Sequence, residues 1–187
     1  MTKSQQTLYF GYGSNIWLHQ MSLRCPTSKY IGVARLPNFR WIINSRGYAN
    51  VVASASSDEV YGLVYSLAPS DEAQLDINES VPHAYTKETM KANLWVSKIG
   101  EPVDVAAGGT GKAAADLLVY IDRHRTADDA PKKEYIHRMN MGIKDALKRG
   151  VPEEYVDQVI RRFIPKQCEP GMEELANRQA LRFEDER

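Results

Sequence analysis

The chain has 187 residues and no net formal charge, with 24 Lys+Arg against 24 Asp+Glu. That length suits one domain with a core of its own and excludes a peptide or a stapled mini-protein. The balanced charge excludes a protein that grips long nucleic acid by neutralising phosphates. Taken in chain order, the first six residues are polar, lack the apolar centre of a signal peptide and are expected to fray. Leu8-Tyr9-Phe10 predicts a short strand running into Gly11-Tyr12-Gly13-Ser14-Asn15. Ile16 to Arg24 predicts one short helix, ended by Pro26, because the residue before proline avoids helical dihedrals. Val33 to Ile43 is rich in β-formers but interrupted by Pro37, which suits an edge or bulged strand. Asn50 to Ser54 and Val60 to Leu67 predict two more strands. Pro69-Ser70-Asp71 opens a helix through Asn78, with Ser70 or Asp71 as N-cap. Tyr85 to Val96 and Ala115 to Ile121 return to strand, with a turn at Gly108 to Gly111 between them. From Pro131 to Arg149 the apolar spacing becomes helical, along Tyr135, Ile136, Met139, Ile143, Ala146 and Leu147, and Gly150 stops it. Pro152 to Arg162 predicts another helix with proline in its first turn. Strands come mostly first and helices mostly last, which points to α+β with a mostly antiparallel sheet or barrel. No apolar run approaches the roughly 18 residues of a membrane span. Isolated Cys25 and Cys168 make no disulfide framework and suit a reducing compartment. A soluble cytoplasmic domain is the expectation.

The glycine loop lies between a strand and a helix. Its glycines let the backbone turn sharply and approach a ligand, and the helix start offers N–H groups suited to a carboxylate or oxyanion. The same residues also read as a plain capped turn. A dinucleotide fingerprint needs a third glycine where Ile16 stands. Gly108-Gly109-Thr110-Gly111-Lys112 fails as a phosphate loop, because Ala113 replaces the required Ser or Thr. His19, His83, His124 and His137 show no paired metal spacing, and no Gly-x-Ser-x-Gly elbow exists. Among Asp71, Glu72, Asp76 and Glu79, most side chains read as solvated helix surface. Glu79 differs: it follows Leu75 by four residues and so shares its inward face at the helix C-terminus. Burial and the partial negative charge there both raise a carboxyl pKa, which suits a general base. Tyr120 and Tyr135, taken singly, read as packing residues with wet hydroxyls.

Together these segments resemble the γ-glutamylcyclotransferase family. The resemblance is carried by Leu8 to Asn15, Val33 to Phe39, Asp58 to Tyr65, Leu75 to Glu79, Tyr135 to Gly142 and Gly150 to Tyr155, covering about residues 7–165. It implies an α+β fold with a small mixed β-barrel flanked by helices over 7–165, followed by a polar C-terminal tail over 166–187 that is able to form a helix. It implies a γ-glutamyl-binding loop of Tyr9, Phe10, Gly11, Tyr12, Gly13, Ser14 and Asn15, with Glu79 as acid/base and Tyr120 and Tyr135 beside the substrate. It implies release of 5-oxoproline from a small γ-glutamyl molecule, in the chemistry of glutathione metabolism. No metal, cofactor, nucleic acid or membrane is expected, and a homodimer is compatible. The chain departs from the family at Ser80, where glycine is common. Tyr85 stands one residue closer to Glu79, with Pro82 between, so residues 80–85 are expected to shape the leaving-group side. The same chemistry on a γ-glutamylamine, a peptide or a glutathione adduct stays open. So do a fold relative acting on another small molecule and a binding protein without activity, although the latter has no need of an inward carboxylate.

Overall fold

A computed structural model describes residues 6–98, 101–106 and 112–184. Its strands are β1 (Thr7–Gly11), β2 (Lys29–Pro37), β3 (Phe39–Ile43), β4 (Ala49–Ala53), β5 (Glu59–Leu67), β6 (Thr86–Val96) and β7 (Lys112–Ile121). Its α-helices are α1 (Leu18–Arg24), α2 (Pro69–Asn78), α3 (Lys133–Arg149), α4 (Glu153–Gln158) and α5 (Met172–Leu181). Strands close into a barrel in the order β1-β5-β2-β6-β7, while β3 and β4 form a separate two-stranded sheet. The pairs from β1 round to β7 are antiparallel, and β7 meets β1 in parallel, with Tyr9 opposite Leu118. Five strands of alternating direction cannot close antiparallel all round, so one parallel seam is a geometric necessity. The result is α+β, a small mixed barrel with helices packed around it.

β5 is buried from Val60 to Leu67, so it reads as a continuous apolar run and not as an alternation. Leu75 of α2 is fully buried and anchors that helix. α3 carries Tyr135, Met139, Ile143 and Ala146 inward and ends at Gly150, whose φ of +99° suits the left-handed position after a helix.

Several expectations need correction. The segment Ile16 to Arg24 is not one helix: a 3-10 turn covers Ser14–Ile16, and α1 starts at Leu18 after extended Trp17. Val33 to Ile43 is split between two sheets by Asn38 at φ +63°. β2 is interior, not an edge, and its bulge falls at Tyr30/Gly32. Pro37 is accommodated because pairing with β6 stops at Arg35. Helix α2 has Ala68 as N-cap with Pro69 in its first turn, so neither Ser70 nor Asp71 caps it. Pro152 is likewise the N-cap of α4, and a 3-10 turn at Ile160–Arg162 follows that helix. The acids of α2 are not simply solvated. Asp71 is buried and accepts from Thr27 Oγ1 at 2.7 Å. Asp76 accepts from Tyr120 at 2.6 Å, and Lys87 bridges Glu72 and Asp76. The expectations for residues 1–5 and for the Gly108–Gly111 turn lie outside the described residues. Among the described residues no helix is long and apolar enough to cross a membrane.

Candidate active site

The end of β1, the C-terminus of α2, the start of α3 and the β3–β4 sheet converge on a cavity of about 500 Å³, its open mouth included. Tyr9 lines it from β1, Tyr12, Gly13, Ser14 and Asn15 from the turn that follows, Glu79 from the C-cap of α2, and Tyr120 and Tyr135 from β7 and α3. Phe10 and Gly11 do not line it. Phe10 is fully buried, and its ring lies against Gly62 of β5 inside the barrel.

Helix geometry places Glu79. It is the C-cap of α2, and its neighbours close a double-bonded turn: Ser80 N–H donates to Ile77 and Val81 N–H to Asp76, each at 3.0 Å. The helix therefore stops at Glu79 and leaves its carboxylate over the cavity.

Two arginines then orient the groups around that carboxylate. A guanidinium can only donate. Arg138 Nη1 donates to Gln20 Oε1 at 3.2 Å, so Gln20 turns its amide nitrogen toward Asn15 Oδ1, 2.7 Å away. Arg24 Nη1 donates to the same oxygen at 3.2 Å. With its oxygen so occupied, Asn15 presents its nitrogen to Glu79 Oε1 at 3.1 Å and to Tyr9 Oη at 2.8 Å. Arg138 is held by a bidentate pair with Glu134 at 2.8 and 2.9 Å, both residues buried. Such a pair contributes more to arrangement than to stability. Burial pushes the Glu79 carboxyl above its usual range, against the opposing effects of Arg24, Asn15, Arg138 and Arg46. Burial likewise lowers Arg24 to about 10, so it stays charged at neutral pH.

Tyr135 Oη accepts from the backbone N–H of Ser14 at 3.0 Å and of Ala49 at 3.3 Å. Burial raises its pKa, so the phenol keeps its proton. With its lone pairs engaged, that proton is the group it offers to the cavity. Tyr120 instead spends its proton on Asp76 Oδ1. Tyr12 donates to the Tyr120 carbonyl at 2.6 Å and fixes the loop against β7. The loop N–H of Ser14 is thus already paired with Tyr135, which the plain helix-start picture did not foresee.

Residues 9–136 match the model of a family described as "Gamma-glutamyl cyclotransferase, AIG2-like". The chain belongs to this family. It is 34% identical over 162 residues to the gamma-glutamylcyclotransferase of Homo sapiens, covering 81% of this chain and 76% of the human protein. The Mus musculus gamma-glutamylcyclotransferase is 32% identical over 162 residues, 81% of this chain and 76% of its own length. A solved gamma-glutamyl cyclotransferase structure superposes with a TM-score of 0.68 at 22% identity, covering 93% of this chain and 99% of that one. The protein is accordingly an enzyme of the cyclotransferase class, and the barrel is the family's fold.

The backbone at the residue after Glu79 bears on the expectation of a glycine there. Ser80 adopts φ +51°, the left-handed position that favours glycine. Ser80→Gly is expected to raise unfolding stability by about 0.5–1 kcal/mol, the left-handed strain relieved less the entropy glycine adds to the unfolded chain. Urea denaturation checks this, and an unchanged or lowered midpoint would show that the serine fits without strain. Of residues 80–85, only Tyr85 lines the cavity, and its hydroxyl donates to the Ala49 carbonyl at 2.8 Å. Sequence reasoning missed Gln20, Arg24, Tyr48, Arg138 and Phe183. Glu134 and Arg138 have the four-residue spacing of an ordinary surface ion pair, so nothing local marked them as buried. Only the apolar neighbours Tyr135 and Met139 hinted at it.

Proposed function

We propose that the enzyme cyclises a small γ-glutamyl amide to 5-oxoproline and a free amine or amino acid, with Glu79 as the general acid/base. The observation that supports this most is the cavity's pairing of a half-buried, amide-oriented carboxylate with a tyrosine hydroxyl that has a proton to offer. The substrate α-ammonium gives a proton to Glu79 and becomes the nucleophile. Its nitrogen attacks the γ-carbonyl, the N–C bond closes a five-membered ring, and the carbonyl oxygen takes negative charge. Tyr135 Oη donates to that oxygen. The C–N bond to the leaving group then breaks. In balance, two protons travel from the attacking nitrogen to the departing one, and a single carboxylate carries them in turn. The nucleophile is already attached to the electrophile, so orientation supplies much of the acceleration. Tyr9 and Tyr12 through Asn15 hold the γ-glutamyl moiety, Tyr120 walls its far side, and Phe10 and Gly11 support the loop from within the barrel. The chemistry itself consumes no water, metal or redox cofactor.

The test is incubation with a panel of γ-glutamyl amino acids, γ-glutamylamines and glutathione adducts in ¹⁸O-water, followed by mass spectrometry. The expected result is unlabelled 5-oxoproline with an equal amount of free amine. Labelled glutamate would show hydrolysis and overturn the reading.

A pH dependence follows. Glu79 must be ionised to accept a proton, and burial holds its pKa above the ordinary 4.5. Activity is therefore expected to fall as pH drops through that raised value, placing the acid limb of kcat/KM above 4.5. The limb should vanish in Glu79→Gln, measured on its residual rate. A limb that persists unchanged there would assign it to another group.

A further inference from the structure

Building on the cyclotransferase reading, we infer that Phe183 is a specificity-determining residue that receives the apolar side chain of the leaving amino acid or amine. Phe183 lies in the segment after α5, beyond the stretch the family model matches, yet it lines the cavity with Glu79 and Tyr135.

Four separate constraints hold it there. Arg24, buried in α1, donates through Nη2 to the Gln179 carbonyl at 2.7 Å and through Nε to the Ala180 carbonyl at 3.0 Å. These are carbonyls of the last turn of α5, which an ending helix leaves without partners of its own. The Gln179 side chain then bonds both backbone groups of Glu184, each at 2.9 Å, and so fixes the chain as it turns back from the helix. Phe183 N–H donates to Asn78 Oδ1 at 3.3 Å, on the residue preceding Glu79. Its ring stands edge-on to Tyr48 at 5.1 Å, and Tyr48 stands edge-on to Tyr135 at 5.2 Å.

The polar end of the cavity, around Asn15, Glu79 and the Ser14–Tyr135 contact, matches the charged γ-glutamyl head. Phe183 is partly buried and its backbone sits on Asn78, beside Glu79, and the group beyond the scissile bond projects toward its ring. Tyr48 and Tyr85 line the same cavity, each with the Arg46 guanidinium over its ring, at 5.6 and 5.8 Å from the centroid, and Phe183 adds a third ring. Aromatic walls reward an apolar substituent and give nothing to a leaving group without a side chain.

The experiment compares γ-glutamylleucine with γ-glutamylglycine on the whole chain. Phe183→Ala is expected to lower kcat/KM for the leucine compound about tenfold and for the glycine compound less than threefold. Phe183→Leu should restore most of the difference, and 5-oxoproline affinity measured by calorimetry should not move. Equal falls for both substrates, no fall for either, or a parallel loss of 5-oxoproline affinity would overturn the inference while leaving the cyclotransferase reading in place. A wild-type protein that forms 5-oxoproline from no γ-glutamyl compound would overturn that reading, and this inference with it.

Discussion

Replacing Glu79 by glutamine is expected to lower turnover by about 10²–10⁴-fold while the protein stays folded, the usual scale for removing a general acid/base. Glutamine keeps the size and the oxygen that accepts from Asn15, so the bond recorded at 3.1 Å can survive. What disappears is the ability to take and return a proton. Stability provides an independent check. A carboxyl whose folded pKa is raised binds its proton more tightly in the folded than in the unfolded chain. Its contribution to stability is therefore greatest at low pH and declines as pH rises through the raised value. Above that value the ionised Glu79 costs the fold free energy that neutral glutamine does not. The variant should accordingly melt at or above the wild-type temperature. Near-normal turnover in a folded variant would remove Glu79 from the mechanism.

Gly13→Val is expected to cut kcat/KM by about 100-fold or more, the scale of a misplacement of roughly 1 Å at a reacting centre. Gly13 has φ −101° and ψ −142°, so no left-handed backbone demands glycine there. The demand is for space. A Cβ at this position would lie 2.7 Å from Tyr135 Oη and 3.0 Å from Ala49 Cβ. Neither neighbour yields cheaply. The tyrosine oxygen is held by two backbone N–H groups, and Ala49 belongs to β4. Valine adds two further carbons, which must push the loop off Glu79 or push Tyr135 out of the cavity. Overpacking of this kind costs about 1–3 kcal/mol of stability as well. Titration with 5-oxoproline and urea denaturation separate the two effects, and Gly13→Ala should fall between wild type and valine. Unchanged affinity and turnover in the valine variant would reduce the loop to a turn.

Local pattern made β5, α3 and the strand before the glycine loop legible. Each rests on neighbours in sequence: a run of β-branched and aromatic residues, an apolar stripe at helical spacing, a glycine stop. The expectation that Glu79 faces inward came from the same source, through its four-residue distance from Leu75. The family pattern added Tyr120 and Tyr135, which periodicity read only as packing. Legibility ended wherever the sheet partner decided the outcome. Pro37 looked like the mark of an edge strand because proline lacks a donor, yet β2 lies inside the barrel. Which flank of the strand the missing donor faces, and where the neighbouring strand stops, are not encoded near Pro37.

The sequence by itself determined that this is a neutral α+β domain of the γ-glutamylcyclotransferase pattern, with a glycine loop and a helix-terminal glutamate in the right order. Spacing of 2 and 3.6, turn residues and motif order are short-range properties, and short-range properties survive in a linear chain. Only the tertiary structure decided what surrounds the glutamate. Arg24 and Gln20 of α1 bond Asn15, Arg138 of α3 reaches it only through Gln20, and Phe183 comes to the cavity from more than a hundred residues beyond Glu79 in the chain. Their meeting is set by barrel closure and helix packing. Their chemistry depends on burial, which turns what would be surface charges into fixed donors and raises the pKa of the carboxyl they orient.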